Sequence, residues 1–262
     1  MVKDLAYQYF GVVLQYLRIN SLSDYYSSEI LNDIIPVSWK PLILKKLTDL
    51  ICNRAVFIFG AGPSLEESVH RVKRFHRLAT FISANGATKL LLENSIAPHI
   101  VVTDLDGNIE AIVESLRRGS IVVVHGHGDN ILSILKYVPK FRGNVIGTTQ
   151  LIPWDNLMNF GGFTDGDRAL YLALYFGARK IVMLGMDFGD VVGKYSKPWL
   201  KEHVKIWDVK RKKFLIAKEL IEKAAEKFKD KVEIYIAPQN VEDIRYVLEV
   251  KYDNLDSIIG KN

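Results

Sequence analysis

Seven short runs of apolar, mostly β-branched residues constrain the fold of this chain more than any other feature. They read AVFIF, TFIS, HIVVT, IVVVH, NVIG, KIVML and VEIYIA, and helix-like stretches separate them. Runs this apolar are typical of strands covered on both faces, as in parallel sheets. Strands that alternate with helices predict an α/β fold: a Rossmann-like open, mostly parallel sheet with helices on both faces.

The chain before the first of these runs has a different pattern, which predicts helices. Apolar positions recur there at helical spacing: Leu5, Tyr9, Val12, Val13 and Tyr16. Two further short helices are predicted to start at Ser23 and Pro41. We therefore expect a helical N-terminal segment over residues 1–54 and an α/β catalytic domain over residues 55–262, with the single cysteine, Cys52, as a small buried hydrophobe.

Charge and cysteine content narrow the class of protein. A net charge of +5 favours anionic partners such as nucleotides and only weakly supports nucleic acid. A lone cysteine cannot form an internal disulfide and fits a reducing, cytoplasmic setting. The run FGVVLQYL is too short and too mixed to span a bilayer, and no signal-peptide cleavage pattern follows it. The oligomeric state is open, with a homodimer as one alternative.

Four unusual turns each follow a predicted strand: GAGPS, ANGA, DLDG and HGHGDN. Open α/β sheets bind ligands at the carboxyl ends of their strands. Because these turns come after successive strands, we expect them to lie at one edge of the sheet and to build a single site.

The first of these turns, GAGPS, combines a strand end, glycines and a helix start. Gly60 and Gly62 allow the backbone to approach a ligand, and helix N-termini favour phosphate. Leu65 stands where a dinucleotide fingerprint needs its third glycine, and no Gly-Lys-Ser/Thr follows as in a P-loop. A capping box of Ser64 and Glu67 is an equally good, purely structural interpretation.

Two acidic turns suggest a cation site. Asp104 and Asp106 follow the third strand, and carboxylate oxygens suit Mg²⁺. Asp165 starts a later helix and offers a third carboxylate, and Asp187 could reach the same edge as a fourth. Helix capping is the alternative for Asp106, and also for the group Thr164, Asp165 and Asp167.

Two further stretches leave functional alternatives open. The spacing of His125, His127 and Asp129 in HGHGDN resembles metallo-hydrolase zinc motifs, although His203 is the only later histidine. A polar turn that lines a pocket explains the same residues.

The basic run from Lys210 to Lys213 is typical of a solvated helix face, with a lid over ATP phosphates or an RNA-binding surface as alternatives.

In this order, the turns resemble the thiamin pyrophosphokinases. The matching stretches are SANGATKLL, APHIVVTDLDGN and FTDGDRALYLALYFGARKIVMLG, but Asn85 replaces a usual aspartate and Gly107 a usual serine. Both departures fit better in a related group. GAGPSLE, ANGATKLLLE, VVTDLDGN, HGHGDN and GGFTDGDRA together resemble the archaeal 6-hydroxymethyl-7,8-dihydropterin pyrophosphokinases over about residues 54–189.

That resemblance implies transfer of a pyrophosphoryl group from ATP to the pterin hydroxymethyl group with release of AMP, in the biosynthesis of tetrahydromethanopterin or folate-like cofactors. Thiamin and other small alcohols stay open as acceptors. The implied catalytic residues are Asp104, Asp106, Asp165 and Arg168, with the three aspartates on Mg²⁺. The implied ATP or phosphate contacts are Gly60, Gly62, Pro63, Ser64, Asn85, Gly86, Thr164 and Asp167. Pterin contacts or residues around the metal ligands would be His125, His127, Asp129, Asn130 and Asp187.

Overall fold

A computed structural model describes residues 21–237 and 243–260. Its main sheet has nine strands: β1 (Ala55–Phe59), β2 (Thr80–Ala84), β3 (Ile100–Thr103), β4 (Ile121–Gly126), β5 (Val145–Thr149), β6 (Leu157–Met158), β7 (Lys180–Leu184), β10 (Glu233–Ala237) and β11 (Leu248–Glu249). Their order in the sheet is β11-β10-β7-β1-β2-β3-β4-β5-β6. Two short strands, β8 (Val191–Val192) and β9 (Val204–Lys205), form a separate antiparallel pair.

All seven apolar runs form strands, so the predicted α/β fold is confirmed. Neighbouring strands of the main sheet run parallel, for example Val56 beside Thr80 on one side of β1 and beside Ile181 on the other. The strand order reverses at β1, since β2 to β6 lie on one side and β7, β10 and β11 on the other. A crevice at the carboxyl ends of such strands is where open α/β sheets bind ligands.

Nine helices accompany the strands in the described ranges. They are α1 (Ser21–Ile34), α2 (Trp39–Ile51), α3 (Leu65–Val72), α4 (Ala87–Glu93), α5 (Ile109–Arg117), α6 (Ile131–Tyr137), α7 (Asp165–Tyr175), α8 (Asp208–Phe228) and α9 (Leu255–Ile259). Alternate residues of β1 show how both faces of the sheet are covered. Val56 and Ile58 pack under α2, α7 and α8, whereas Phe57 and Phe59 pack under α3, α4 and α9.

The helices before β1 belong to the same hydrophobic core as the sheet. Leu31 of α1 packs with Val101 and Val122, and Leu47 of α2 packs with Ile58. The predicted helix start at Pro41 lies two residues after the observed first residue of α2, Trp39, and Ser23 lies within the described part of α1. The earlier apolar positions, from Leu5 to Tyr16, lie outside the described residues, and the division at residue 54 stays a prediction.

The expectation for Cys52 was wrong, because its side chain is exposed. The last buried residue of α2 is Ile51, and Cys52 follows it as the helix C-cap, with its backbone N–H donating to the Thr48 carbonyl at 2.9 Å. Cys52 therefore lies just beyond the buried face of α2, which ends at Ile51. None of the helices in the described ranges has the length and apolar character that a membrane crossing needs.

Candidate functional site

A pocket of about 530 Å³ opens at the carboxyl ends of the parallel strands, beside the point where the strand order reverses. Most of the predicted site residues line it: Gly60, Gly62, Asn85, Gly86, Asp104, Asp106, His127, Asp129, Thr164, Asp165, Arg168 and Asp187. Five other predicted site residues are not part of its lining: Pro63, Ser64, His125, Asn130 and Asp167. The chain thus brings the four predicted turns to one cavity.

Asn85 joins the two aspartates that follow β3. Its side-chain amide donates hydrogen bonds to Oδ1 of Asp104 at 2.9 Å and to Oδ1 of Asp106 at 2.6 Å. Its own carbonyl oxygen accepts from the Thr103 hydroxyl at 3.0 Å, which fixes the orientation of the amide. Leu105 takes a positive φ of 65°, so that the two flanking carboxylates lie on the same side of the turn.

The capping alternative for Asp106 is wrong. The N-cap of α5 is Asn108, whose side-chain oxygen accepts the Ala111 backbone N–H at 2.8 Å. Asp106 instead pairs with the ammonium of Lys197 and shares the Asn85 amide with Asp104. This carboxylate therefore belongs to the pocket.

The two carboxylates differ in protonation behaviour because their neighbours differ. Burial alone would raise the pKa of Asp104, but the hydrogen bond and charge of His127, a hydrogen bond with Asp106 and the charge of Lys197 together outweigh it and lower that pKa. Burial and the negative charge of Asp104 raise the pKa of Asp106, against the opposing effect of Lys197. Negative charge is thus concentrated on Asp104.

Asp165, the first residue of α7, faces the same cavity without a hydrogen bond to its buried Oδ1 within the described part of the chain. Arg168 is the nearest cation, with its Nη1 4.0 Å from that oxygen. Burial, followed by the charge of Asp104, raises the pKa of Asp165 well above its usual range. A cation placed between these carboxylates would relieve that repulsion.

Asp167 has a structural position instead. It is fully buried and accepts the backbone N–H of Thr164 at 2.7 Å and that of Phe163 at 2.5 Å. Thr164 and Asp167 form a capping box at the start of α7. Of the two acidic residues in this helix turn, Asp165 is the one presented to the pocket.

The glycine turn after β1 is held by a carboxylate from the turn that follows β7. Ser64 donates both its backbone N–H, at 2.8 Å, and its hydroxyl to Asp187. The predicted capping box of Ser64 and Glu67 is wrong, because the Ser64 side chain is turned to Asp187 and does not cap α3. A Cβ on Gly62 would lie 2.5 Å from the Asp187 carboxylate, so this glycine is required by the packing of the turn.

The two histidines of HGHGDN have different environments. His127 lies at the pocket: its Nδ1 accepts the Asp129 N–H at 3.3 Å, so Nε2 carries the hydrogen directed at Asp104 Oδ2, also at 3.3 Å. His125 is buried beside Thr148, and burial lowers its pKa well below the usual range. Asn130 donates to the carbonyls of Asp104, at 2.8 Å, and of His125, at 2.6 Å, which ties this turn to the end of β3.

A buried aspartate from α1 supports the turn after β4, and the sequence analysis did not identify it. Asp24 is 1% exposed and accepts the Gly128 N–H at 2.7 Å and the Gln150 amide at 2.6 Å. Gln150 in turn accepts from Arg168 at 3.3 Å. No motif surrounds Asp24, and its acidic character does not single it out, because Glu29 and Asp33 lie in the same helix.

The basic run divides between the pocket and the surface. Lys210 and Lys213, three residues apart in the first turns of α8, line the pocket together with Lys197. Arg211 is exposed and pairs with Asp190 at 2.6 Å. The prediction of a solvated helix face therefore holds for only part of the run.

No group of three or more His, Cys, Asp or Glu side chains is preassembled for a metal ion within residues 21–237 and 243–260. In this structure Asn85, His127 and Lys197 occupy the oxygens of Asp104 and Asp106. Mg²⁺ typically binds one or two carboxylates and completes its shell with water and substrate phosphates. The oxygen-only donor set of Asp104, Asp106 and Asp165 fits that ion better than it fits zinc.

Comparison with known proteins identifies the family. The family model described as "6-hydroxymethylpterin diphosphokinase MptE-like" matches residues 34–193. The chain belongs to this family. A relative from Methanocaldococcus jannaschii, named 6-hydroxymethyl-7,8-dihydropterin pyrophosphokinase, is 43% identical over 86% of this chain and 95% of its own length.

Two further relatives carry the same name. The one from Pyrococcus furiosus is 46% identical over 75% of this chain and 82% of its own, and the one from Methanothermobacter thermautotrophicus is 51% identical over 63% and 71%. These similarities place the chain among enzymes rather than among binding modules.

Among solved structures, a MAf glycosyltransferase from Magnetospirillum magneticum AMB-1 matches 77% of this chain and 34% of its own, with a TM-score of 0.54. At 15% identity this match shows the fold alone.

Proposed function

We propose that this enzyme transfers the terminal diphosphoryl group of ATP to the hydroxymethyl oxygen of 6-hydroxymethyl-7,8-dihydropterin and releases AMP. Three relatives at 43–51% identity carry the name of that activity. The observation in the structure that carries the proposal is the meeting of Asp104, Asp106 and Asp165 at one sheet edge. We place the reaction in the cytoplasm, in the biosynthesis of a folate-like cofactor.

The carboxylate set supports magnesium as the partner of ATP. Asp165 has a buried oxygen without a hydrogen bond in the described chain, and burial, followed by the charge of Asp104, raises its pKa. We infer that Asp104, Asp106 and Asp165 hold Mg²⁺ together with the phosphates of ATP. When bound, the ion supplies neutralisation of the charge that develops on the phosphate oxygens.

Phosphoryl-type transfer depends mainly on positioning and charge, and residues of this chain can supply both. Asn85 keeps Asp104 and Asp106 at a fixed separation, and Asn130 anchors the carbonyl of Asp104. Arg168, 9% exposed and oriented by Gln150, presents a guanidinium to the cavity. We assign these residues to fixing the phosphate chain so that its β-phosphorus faces the acceptor.

We place the pterin near His127 and Asp129. Both line the pocket next to Asp104, at the end of β4. The hydrogen on His127 Nε2 is directed at Asp104, so we assign His127 to orienting that carboxylate beside the acceptor. His125 and Asn130 stand behind them and act on the pocket by holding the turn in place.

The test is a reaction with ATP, Mg²⁺ and 6-hydroxymethyl-7,8-dihydropterin, followed by separation of nucleotides and pterins. We expect AMP and a diphosphorylated pterin in equal amounts, and neither product after chelation of Mg²⁺. Parallel reactions with thiamin test the acceptor. AMP with free pyrophosphate and unmodified pterin, or turnover that requires zinc, would contradict the proposal and favour a phosphohydrolase.

A further inference from the structure

Side chains of opposite charge line the pocket. Asp104, Asp106 and Asp165 contribute carboxylates to its lining, and Lys197, Lys210 and Lys213 contribute ammonium groups. We propose that Lys197 and Lys210 are catalytic residues that bind the β- and γ-phosphate oxygens of ATP, the part of the nucleotide that is transferred. This inference rests on the proposed function for the identity of the nucleotide.

Lys197 belongs to a strap, which we define as residues 191–205, the segment from β8 to β9 that crosses the carboxyl edge of the sheet. Side chains of the strap fasten it to α3 and α4: Lys194 and His203 lie 2.7 and 3.2 Å from Glu66, and the Tyr195 hydroxyl lies 2.8 Å from Glu93. This anchoring holds the strap over the pocket.

The anchored strap places the Lys197 ammonium against Asp106 with 19% of the side chain exposed. Asp106 is one of the carboxylates that we assign to the Mg²⁺ of the substrate. A phosphate oxygen bound next to Asp106 would therefore lie within reach of the Lys197 ammonium. A charge-assisted bond to phosphate is stronger than a neutral one, and lysine is a common phosphate ligand.

Lys210 reaches the pocket from the first turn of α8. Its ammonium lies 5.2 Å from the centre of the Phe214 ring, and among the described residues no carboxylate stands within ion-pair distance of it. Burial, and then repulsion from Lys197 and Lys213, lowers its pKa to about 8, although Asp106 and Asp165 attract it. A half-buried ammonium that is repelled by two others is stabilised when a multiply charged anion enters.

The arrangement favours a polyphosphate over an anion with a single charge. Two separate elements, the strap and α8, contribute lysines to the same pocket, so that several oxygens can be contacted at once. The family match ends at residue 193, and both lysines lie beyond it. The sequence motifs that point to the aspartates therefore do not point to these cations.

The test compares binding of ATP and AMP in the presence of Mg²⁺ and without pterin, by calorimetric titration. Lys197→Met and Lys210→Met keep the apolar stem and remove the charge. Matched controls are Lys201→Met in the strap and Lys212→Met in α8, both exposed and outside the pocket lining. We expect each pocket variant to weaken ATP binding about 10- to 100-fold, with AMP affinity and both controls within about twofold of the parent.

Parent-like ATP affinity in both pocket variants would overturn the proposal, and so would an equal loss of ATP and AMP affinity. Circular dichroism and thermal unfolding check the fold, and Lys197→Gln and Lys210→Gln replace a variant that does not fold. Because no acceptor is present, the result is independent of product formation. If the lysine variants lose ATP affinity selectively but the parent protein makes no diphosphorylated pterin, the proposed function is contradicted and the assignment of the two lysines still holds.

Discussion

The side-chain amide nitrogen of Asn85 lies 2.9 Å from Oδ1 of Asp104 and donates a hydrogen bond to it. The same amide reaches Asp106, and the backbone of Asn85 has a positive φ of 44°. A neutral donor thus holds two carboxylates that would otherwise repel each other. An aspartate at position 85 would place a third carboxylate within hydrogen-bond distance of the two.

Asn85→Asp is therefore expected to lower turnover about 10- to 100-fold, as is common when a residue that orients metal ligands is lost. The concentration of Mg²⁺ needed for half-maximal rate should change as well. Steady-state kinetics over a range of Mg²⁺ concentrations measures both effects. Asn53→Asp, at an exposed position with a φ of 58°, is the matched control. Equal kinetics for the two variants would show that Asn85 does not organise the carboxylates.

The Asn85 side chain can occupy its position only because residue 107 is a glycine. A Cβ on Gly107 would lie 2.2 Å from Oδ1 of Asn85, so a side chain at position 107 must displace the amide. Gly107→Ser is expected to destabilise the protein by about 1–3 kcal/mol, the usual cost of overpacking, and to lower turnover together with it. Gly189→Ser, where a Cβ meets nothing within 4 Å, is the control for thermal unfolding and rate. A stable and fully active Gly107→Ser variant would contradict this account.

Asp104→Asn and Asp106→Asn should each reduce turnover at least about 100-fold, since a bound metal supplies several kcal/mol of charge stabilisation. Neither residue caps a helix, so thermal unfolding should stay close to that of the parent. Turnover at limiting and saturating Mg²⁺ is the measurement, with the exposed Asp253→Asn as control. Near-parent activity of either variant at limiting Mg²⁺ would refute the metal assignment.

His99, far from the pocket, makes the fold sensitive to acid. Its Nδ1 accepts the Phe81 N–H at 2.9 Å, and burial, then the charges of His76 and Arg54, lowers its pKa to about 4. Between the usual pKa of 6.5 and about 4, the unfolded chain binds a proton that the folded chain does not. Stability from this group is therefore complete above pH 6.5 and is lost as the pH falls toward 4.

The expected loss is between about 1 and 3 kcal/mol, because each pKa unit corresponds to about 1.4 kcal/mol and the ring is partly exposed. Denaturant unfolding at pH 7 and pH 4.5 measures it. His99→Gln should lose less stability between these two values than the parent, whereas the exposed His70→Gln should follow the parent. An unchanged pH dependence in His99→Gln would show that this histidine is not the source.

The fold could be predicted from local patterns, because strands as apolar as these seven runs must be covered on both faces of a sheet. The position of the two aspartates could also be predicted, since Asp104 and Asp106 come directly after a strand and therefore lie at the ligand-binding edge of the sheet. The position of the Ser64 side chain could not be predicted in this way. Its local pattern matched a capping box, but its hydroxyl donates a hydrogen bond to Asp187, more than one hundred residues later. Lys197 and Asp24 reach the site through tertiary packing, which no local pattern encodes.

The central claim is that the β-phosphorus of ATP is attacked, and the most direct test follows a label at that position. ATP labelled at the β-phosphorus is incubated with Mg²⁺ and 6-hydroxymethyl-7,8-dihydropterin, and the label is traced by chromatography. We expect the label to appear in the diphosphorylated pterin while unlabelled AMP accumulates in equal amount. Label retained in ADP, with a monophosphorylated pterin as product, would contradict it.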